Sequence, residues 1–139
     1  MRSVLALAAL AAAPALGQPP VTQLNAGMHL SRAEVVSDPG TRAQGLMYRK
    51  SMAQNAGMLF IFDEAAVHCM WMKNTLISLS VAFIDDRGAI VNIADMEPQT
   101  EASHCAAQPV RYALEMNRGW FAARGVKPGS RLGGIPGVK

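Results

Sequence analysis

The chain has 139 residues, half of them apolar, with two cysteines and a formal net charge of +3. That length suits one domain and is too short for two. So weak a charge, spread over scattered Lys and Arg, excludes the long-range attraction that nucleic-acid or anionic-membrane binders use.

The amino terminus reads as a secretory leader. Met1 and Arg2 make a short positive start, Val4 to Leu16 is apolar and uncharged, and Ala15 and Gly17 are small residues before Gln18. The apolar run is about 13 residues, short of the roughly 20 that a membrane-crossing helix needs. Residues 1–17 are therefore expected to be removed on export. What remains, roughly 122 residues with no transmembrane segment, is expected in the periplasm or outside the cell. A single domain over residues 18–132 and a flexible glycine-rich tail over residues 133–139 complete the expected organisation.

Within the domain, Val21 to Leu24 and Met28 to Val36 have strand composition. Asp38-Pro39 opens a helix expected to run to about Tyr48, with Asp38 capping it and Pro39 in its first turn. Gly57 to Phe62 is a nearly continuous apolar run, the pattern of a strand buried on both faces. His68 to Met72 and Leu79 to Ile84 are further strands. Asp85-Asp86-Arg87-Gly88 then separates Val81 to Ile84 from Ala89 to Ile93 as a hairpin turn. Val110 to Met116 forms the last strand, and Asn117 is expected to cap a helix from Arg118 to Arg124 that Gly125 ends. Strands dominate without regular βαβ alternation. The expected fold class is α+β, β-rich: a mostly antiparallel curved sheet or partial barrel with two short helices.

The two cysteines, Cys69 and Cys105, allow three readings. In an exported protein an even count points to a disulfide, which across a loop of this length contributes ~3–4 kcal/mol by restricting the unfolded chain. The pairs His68-Cys69 and His104-Cys105 could instead supply four ligands to zinc or copper, with Met70 and Met72 suited to copper(I). Strand geometry opposes that, because adjacent side chains point to opposite faces. Free thiols are the third reading.

Four segments, Gly45-Leu46-Met47-Tyr48-Arg49, Gly57-Met58-Leu59-Phe60, Trp71-Met72-Lys73-Asn74-Thr75 and Leu114-Glu115-Met116-Asn117-Arg118-Gly119-Trp120, occur in the order and spacing of a known family. Together they resemble DUF192, an uncharacterised bacterial and archaeal domain family, over about Leu30 to Leu132. Trp71 to Thr75 is the most specific stretch. The resemblance implies a compact β-rich α+β fold, and in many members export, with no established activity, substrate or cofactor. The chain departs from the family pattern at Cys69-Met70, where an aromatic commonly precedes the Trp. It departs again at Ser78 and Ser80, which stand for the usual Pro and Asp of an Ile-Pro-Leu-Asp stretch.

Candidate site residues follow from chemistry. Trp71, Lys73, Asn74 and Thr75 put an aromatic face, a cation and two hydrogen-bonding groups within five positions, a corner able to hold an anionic or hydroxylated small molecule. The plain alternative is a tight turn with Asn74 and Thr75 bonding nearby backbone and Trp71 in the core. Glu115 lies in the apolar run Tyr112 to Met116, where alternation places it with Ala113, opposite Tyr112, Leu114 and Met116. Such a carboxylate is expected to pair with Lys73 or Arg49. The chain has no Gly-x-Ser-x-Gly, no His-Glu-x-x-His and no phosphate-binding glycine loop. No catalytic residue is assigned, and neither a cofactor nor a metal is expected. The first expectation is a monomeric, non-enzymatic binding or accessory module of the cell envelope. Its partner would be a small polar ligand or an envelope protein, met at Arg49, Trp71, Lys73, Asn74, Thr75 and Glu115. A small hydrolase-like enzyme using Glu115 with Lys73 is the alternative, and periplasmic metal binding the second.

Overall fold

Eight strands and two short helices order the chain in the computed structural model, which describes residues 18–139. The expected leader over residues 1–17 lies outside the described residues. The strands are β1 (Val21–Ala26), β2 (His29–Val36), β3 (Ala56–Ala66), β4 (Cys69–Met70), β5 (Leu79–Ile84), β6 (Ile90–Met96), β7 (His104–Cys105) and β8 (Val110–Asn117). The helices are α1 (Pro39–Gln44) and α2 (Trp120–Ala123). Among the described residues no helix is long and apolar enough to cross a membrane.

Six strands form one sheet in the order β1-β2-β3-β8-β5-β6, and β4 pairs with β7 separately. All pairings are antiparallel except β2 with β3. The sheet is mixed, mostly antiparallel and open, with β1 and β6 as its edges, so it does not close into a barrel. The parallel pair arises because α1 and the following loop carry the chain back across the sheet before β3 begins, as a parallel connection requires.

Apolar alternation gives the sheet two cores, one on each face. Leu24, Leu59, Ile84, Leu114 and Met116 point to one face and pack with Trp120, Phe121, Leu132 and Ile135. Met58, Phe60, Val81, Phe83 and Ala113 point to the other and pack with Leu46, Met72, Met96 and Ala106. Gly57 to Phe60 of β3 are thus buried on both faces, as the nearly continuous apolar run predicts, while Asp63 to Ala65 of the same strand are exposed, and every residue of β5 is buried.

Three expectations are corrected. Helix α1 begins as predicted, with the Asp38 carboxylate accepting from the Thr41 backbone N–H at 2.9 Å, but it ends at Gln44 and does not reach Tyr48. Gly45, at φ 49° and ψ −129°, leaves the helical region there, and Tyr48 also takes a positive φ. Helix α2 is capped by Gly119, because Asn117 continues the β8 ladder opposite Leu79 and its amide donates to Met52 O at 3.0 Å. The strand preference of the Val110 run overrides the capping preference of Asn. Residues 133–139, expected as a flexible tail, instead lay Ile135 into the first core, and Gly133 bridges to Asn25.

Candidate functional site

The second face of the sheet is covered by irregular chain, and the cover is pinned at several points. Cys69 and Cys105 face each other across the β4–β7 pair and are joined by a disulfide, which selects one of the three cysteine readings and leaves no free thiolate for the His-Cys metal site. Asn92 ties β7 to the main sheet, donating to Cys105 O at 3.2 Å and accepting from Ala107 N at 3.0 Å. The segment after β4 is fastened by Met72 N to Thr100 O at 3.1 Å and by Gln99 N to Thr75 O at 3.0 Å. On the opposite side the Tyr48 N–H donates to Asn74 O at 2.9 Å, joining the loop after α1 to this cover.

Between α1, β3 and this cover lies a pocket of about 220 Å³. Phe60, Phe62, Leu46, Met47, Met70, Trp71 and the Cys69 side of the disulfide supply its apolar wall, Arg42 and Gln44 of α1 also line it, and Glu115 and Thr75 are its buried polar groups. Larger hollows over Leu30 to Arg32 and over Gly27 to His29 are lined by no buried ionisable side chain.

Glu115 is 4% exposed, in the middle of the most central strand pairings, opposite Met58 on β3 and Val81 on β5. Cross-strand partners share a face, so the carboxyl rises between two apolar side chains. Among the described residues no hydrogen bond or ion pair reaches it. Burial, with no compensating charge, pushes its pKa up from 4.5 to about 8. At neutral pH the group is therefore mainly the neutral acid, with one O–H to donate and lone pairs to accept. An ionisable group held buried without a partner is costly to the fold, and such costs concentrate at functional sites.

The remaining candidates are distributed differently from the sequence expectation. Trp71 stands half-exposed at the lip, and Thr75 lines the pocket while its hydroxyl donates to Lys73 O at 3.2 Å. Asn74 is a turn residue at φ 55°, serving the loop through its backbone. Lys73 does not meet Glu115: its ammonium lies 5.3 Å from the Trp71 ring centre and 3.9 Å from Glu101. Arg49 is also elsewhere, in a two-pronged pair with Glu34 on β2. The expected Glu115 pairing with Lys73 or Arg49 is thus replaced by short-range partners for both cations, and a hydrolase built on Glu115 with Lys73 loses its geometry.

Arg42 is the charged residue of the wall that sequence reasoning missed. Its guanidinium donates to Ser37 O, to Ile61 O at 3.0 Å and to Asp63 at 3.4 Å. A register shift in β3 after Ile61 frees that carbonyl from the ladder, and likewise Phe62 O, which accepts from Arg111 at 2.6 Å. Phe60 and Phe62 were legible in principle. Counting by twos from Met58 puts both on the face that carries Glu115.

Ser80, one of the departures from the family pattern, lies outside this pocket. Its hydroxyl donates to Asp95 at 2.6 Å and accepts from the Gly119 N–H at 3.0 Å, holding the entrance to α2.

A family model, DUF192, described as an uncharacterized ACR, matches residues 21–134. No curated protein matches the sequence. Solved structures similar to it include two bacterial proteins. A proposed transcription regulator from Sinorhizobium meliloti 1021 is 40% identical with a TM-score of 0.81, over 85% of this chain and 96% of that one. A protein of unknown function from Novosphingobium aromaticivorans DSM 12444 is 33% identical with a TM-score of 0.76, over 91% of this chain and 93% of that one.

Proposed function

We propose that this chain, which belongs to the DUF192 family, is an exported, non-enzymatic binding module of the cell envelope that holds a small ligand over Glu115. The observation that carries this reading is the buried, unpartnered carboxyl at the base of a mostly apolar pocket. Pockets of that build, mostly apolar with a few placed polar groups, suit recognition of a small molecule. Catalysis by a carboxyl generally needs a second titratable group in reach, and Lys73 and Arg49 are engaged elsewhere. Export is supported by the leader-like residues 1–17 and by the disulfide, a bond of oxidising compartments.

The regulatory name belongs to the Sinorhizobium protein.

The test is to expose residues 18–139 to an envelope extract and identify by mass spectrometry what co-purifies. A small molecule retained by the wild type and by Lys73→Ala, and lost from Glu115→Ala, is the expected result. The same species on all three proteins would place the binding site elsewhere.

A further inference from the structure

The pocket's chemistry narrows the class of ligand, and this step rests on the binding-module reading above. An anion would face the Glu115 carboxyl. Its single cationic neighbour in the wall would be Arg42, three of whose five donors are given to Ser37 O, Ile61 O and Asp63. A neutral ligand would use neither the charge that Glu115 can carry nor the Phe60 ring as a cation seat. A cation is matched by a carboxylate to neutralise it, aromatic rings to seat it and polarisable sulfurs beside it, and the Arg42 guanidinium is the part of the lining it does not use.

Two rings of the wall already attract cations of the protein itself. The Lys73 ammonium lies 5.3 Å from the Trp71 centre, and the Arg42 guanidinium 5.9 Å from that of Phe62. Glu115 is the acidic group of the lining and has no cation of its own. We infer that the pocket takes a small organic cation, an ammonium or methylated ammonium group seated on Glu115, with its alkyl substituents against Phe60, Trp71, Met47 and Met70.

The inference fixes a pH dependence. Besides Glu115, the charged group facing the pocket is Arg42 of α1, already met by Asp63. The sides formed by β3, the β4 region and the loop after α1 present Phe60, Phe62, the disulfide, Met70, Trp71, Thr75, Leu46 and Met47, none of which titrates. Seating a permanent cation therefore requires Glu115 to release its proton. Affinity rises about tenfold per pH unit below about 8 and levels off above it.

The experiment measures calorimetric affinity of choline and of its uncharged isostere 3,3-dimethylbutan-1-ol for residues 18–139 between pH 5.5 and 9. At pH 8.5 choline is expected to bind ~tenfold or more tightly than the isostere, with that rising pH profile. Glu115→Gln erases the preference, Trp71→Ala weakens choline several-fold, and Lys73→Ala does not weaken it. Equal or tighter binding of the isostere, or a choline affinity flat or falling with pH, overturns the cation. So does no binding of choline at all. If the isostere or an extracted neutral or anionic molecule still binds and depends on Glu115, the binding-module reading survives that result. If no small molecule depends on Glu115, both fall.

Discussion

The two faces of the sheet are built from the same strands and covered by different means. On one face Leu24, Leu59, Ile84 and Leu114 meet α2 and the carboxy-terminal stretch, which is stitched on by backbone pairing of Gly133 with Asn25 and of Ala89 with Arg131. On the other, irregular chain held by a disulfide roofs a pocket around a carboxyl without a hydrogen-bond or ion-pair partner. Strand β8 shows the contrast residue by residue, with Leu114 and Met116 on the first face and Ala113 and Glu115 on the second. Among the described residues the first face buries no carboxyl group. The second gives up stability at one position, and an ionisable group kept there at a cost marks the side where ligand chemistry belongs.

Four perturbations would break or sharpen this comparison. The largest effect is expected on the closed face, where Leu114→Ala empties a fully buried site and lowers stability by up to ~5 kcal/mol in urea titrations, leaving the ligand preference of the surviving folded protein intact. Next comes the crosslink of the open face. The Cys69→Ser, Cys105→Ser double variant is expected to lose ~3–4 kcal/mol, together with ligand binding, since β4 and β7 carry one wall of the pocket. A loss of stability with binding unchanged would show that the roof does not depend on the disulfide.

The third perturbation is titration of the acid itself. The folded state raises the pKa of Glu115, so between about 4.5 and about 8 the folded chain holds a proton that the unfolded chain has released. Stability from this group is complete below the lower value and is lost as pH rises through the upper one. Glu115→Gln, which keeps the shape and removes the titration, should therefore gain on the wild type by ~1.4 kcal/mol per pH unit across that window, up to a few kcal/mol. Parallel stability curves for the two proteins would contradict it. The smallest effect is expected at Trp71, half-exposed at the lip, where replacement by Ala costs under ~1 kcal/mol of stability yet weakens binding.

Much of this was legible in local pattern. Alternation placed Ala113 and Glu115 together and Leu114 opposite them, the apolar run at Gly57 to Phe62 gave a strand buried twice over, and Gly88 closed the expected hairpin at φ 84°. The cysteine pair followed from the even count and the oxidising context expected of an exported chain. What sequence could not give was partner choice between distant positions. Lys73 meets Glu101 and Arg49 meets Glu34, contacts fixed by the fold of loops and by the parallel β2–β3 pairing. Phe60 and Phe62 read as ordinary core because an apolar residue carries no local sign that it borders a cavity. Asn117 misled through a genuine capping preference that the β8 ladder outweighed.

The central claim, a buried and unpartnered acid at the base of the pocket, is tested most directly by carbon-13 NMR titration of the Glu115 side-chain carboxyl in the folded protein. A midpoint near about 8 is the predicted result. A midpoint in the ordinary glutamate range, near 4.5, would mean that water or a cation already reaches the group, and the contrast between the two faces would no longer hold.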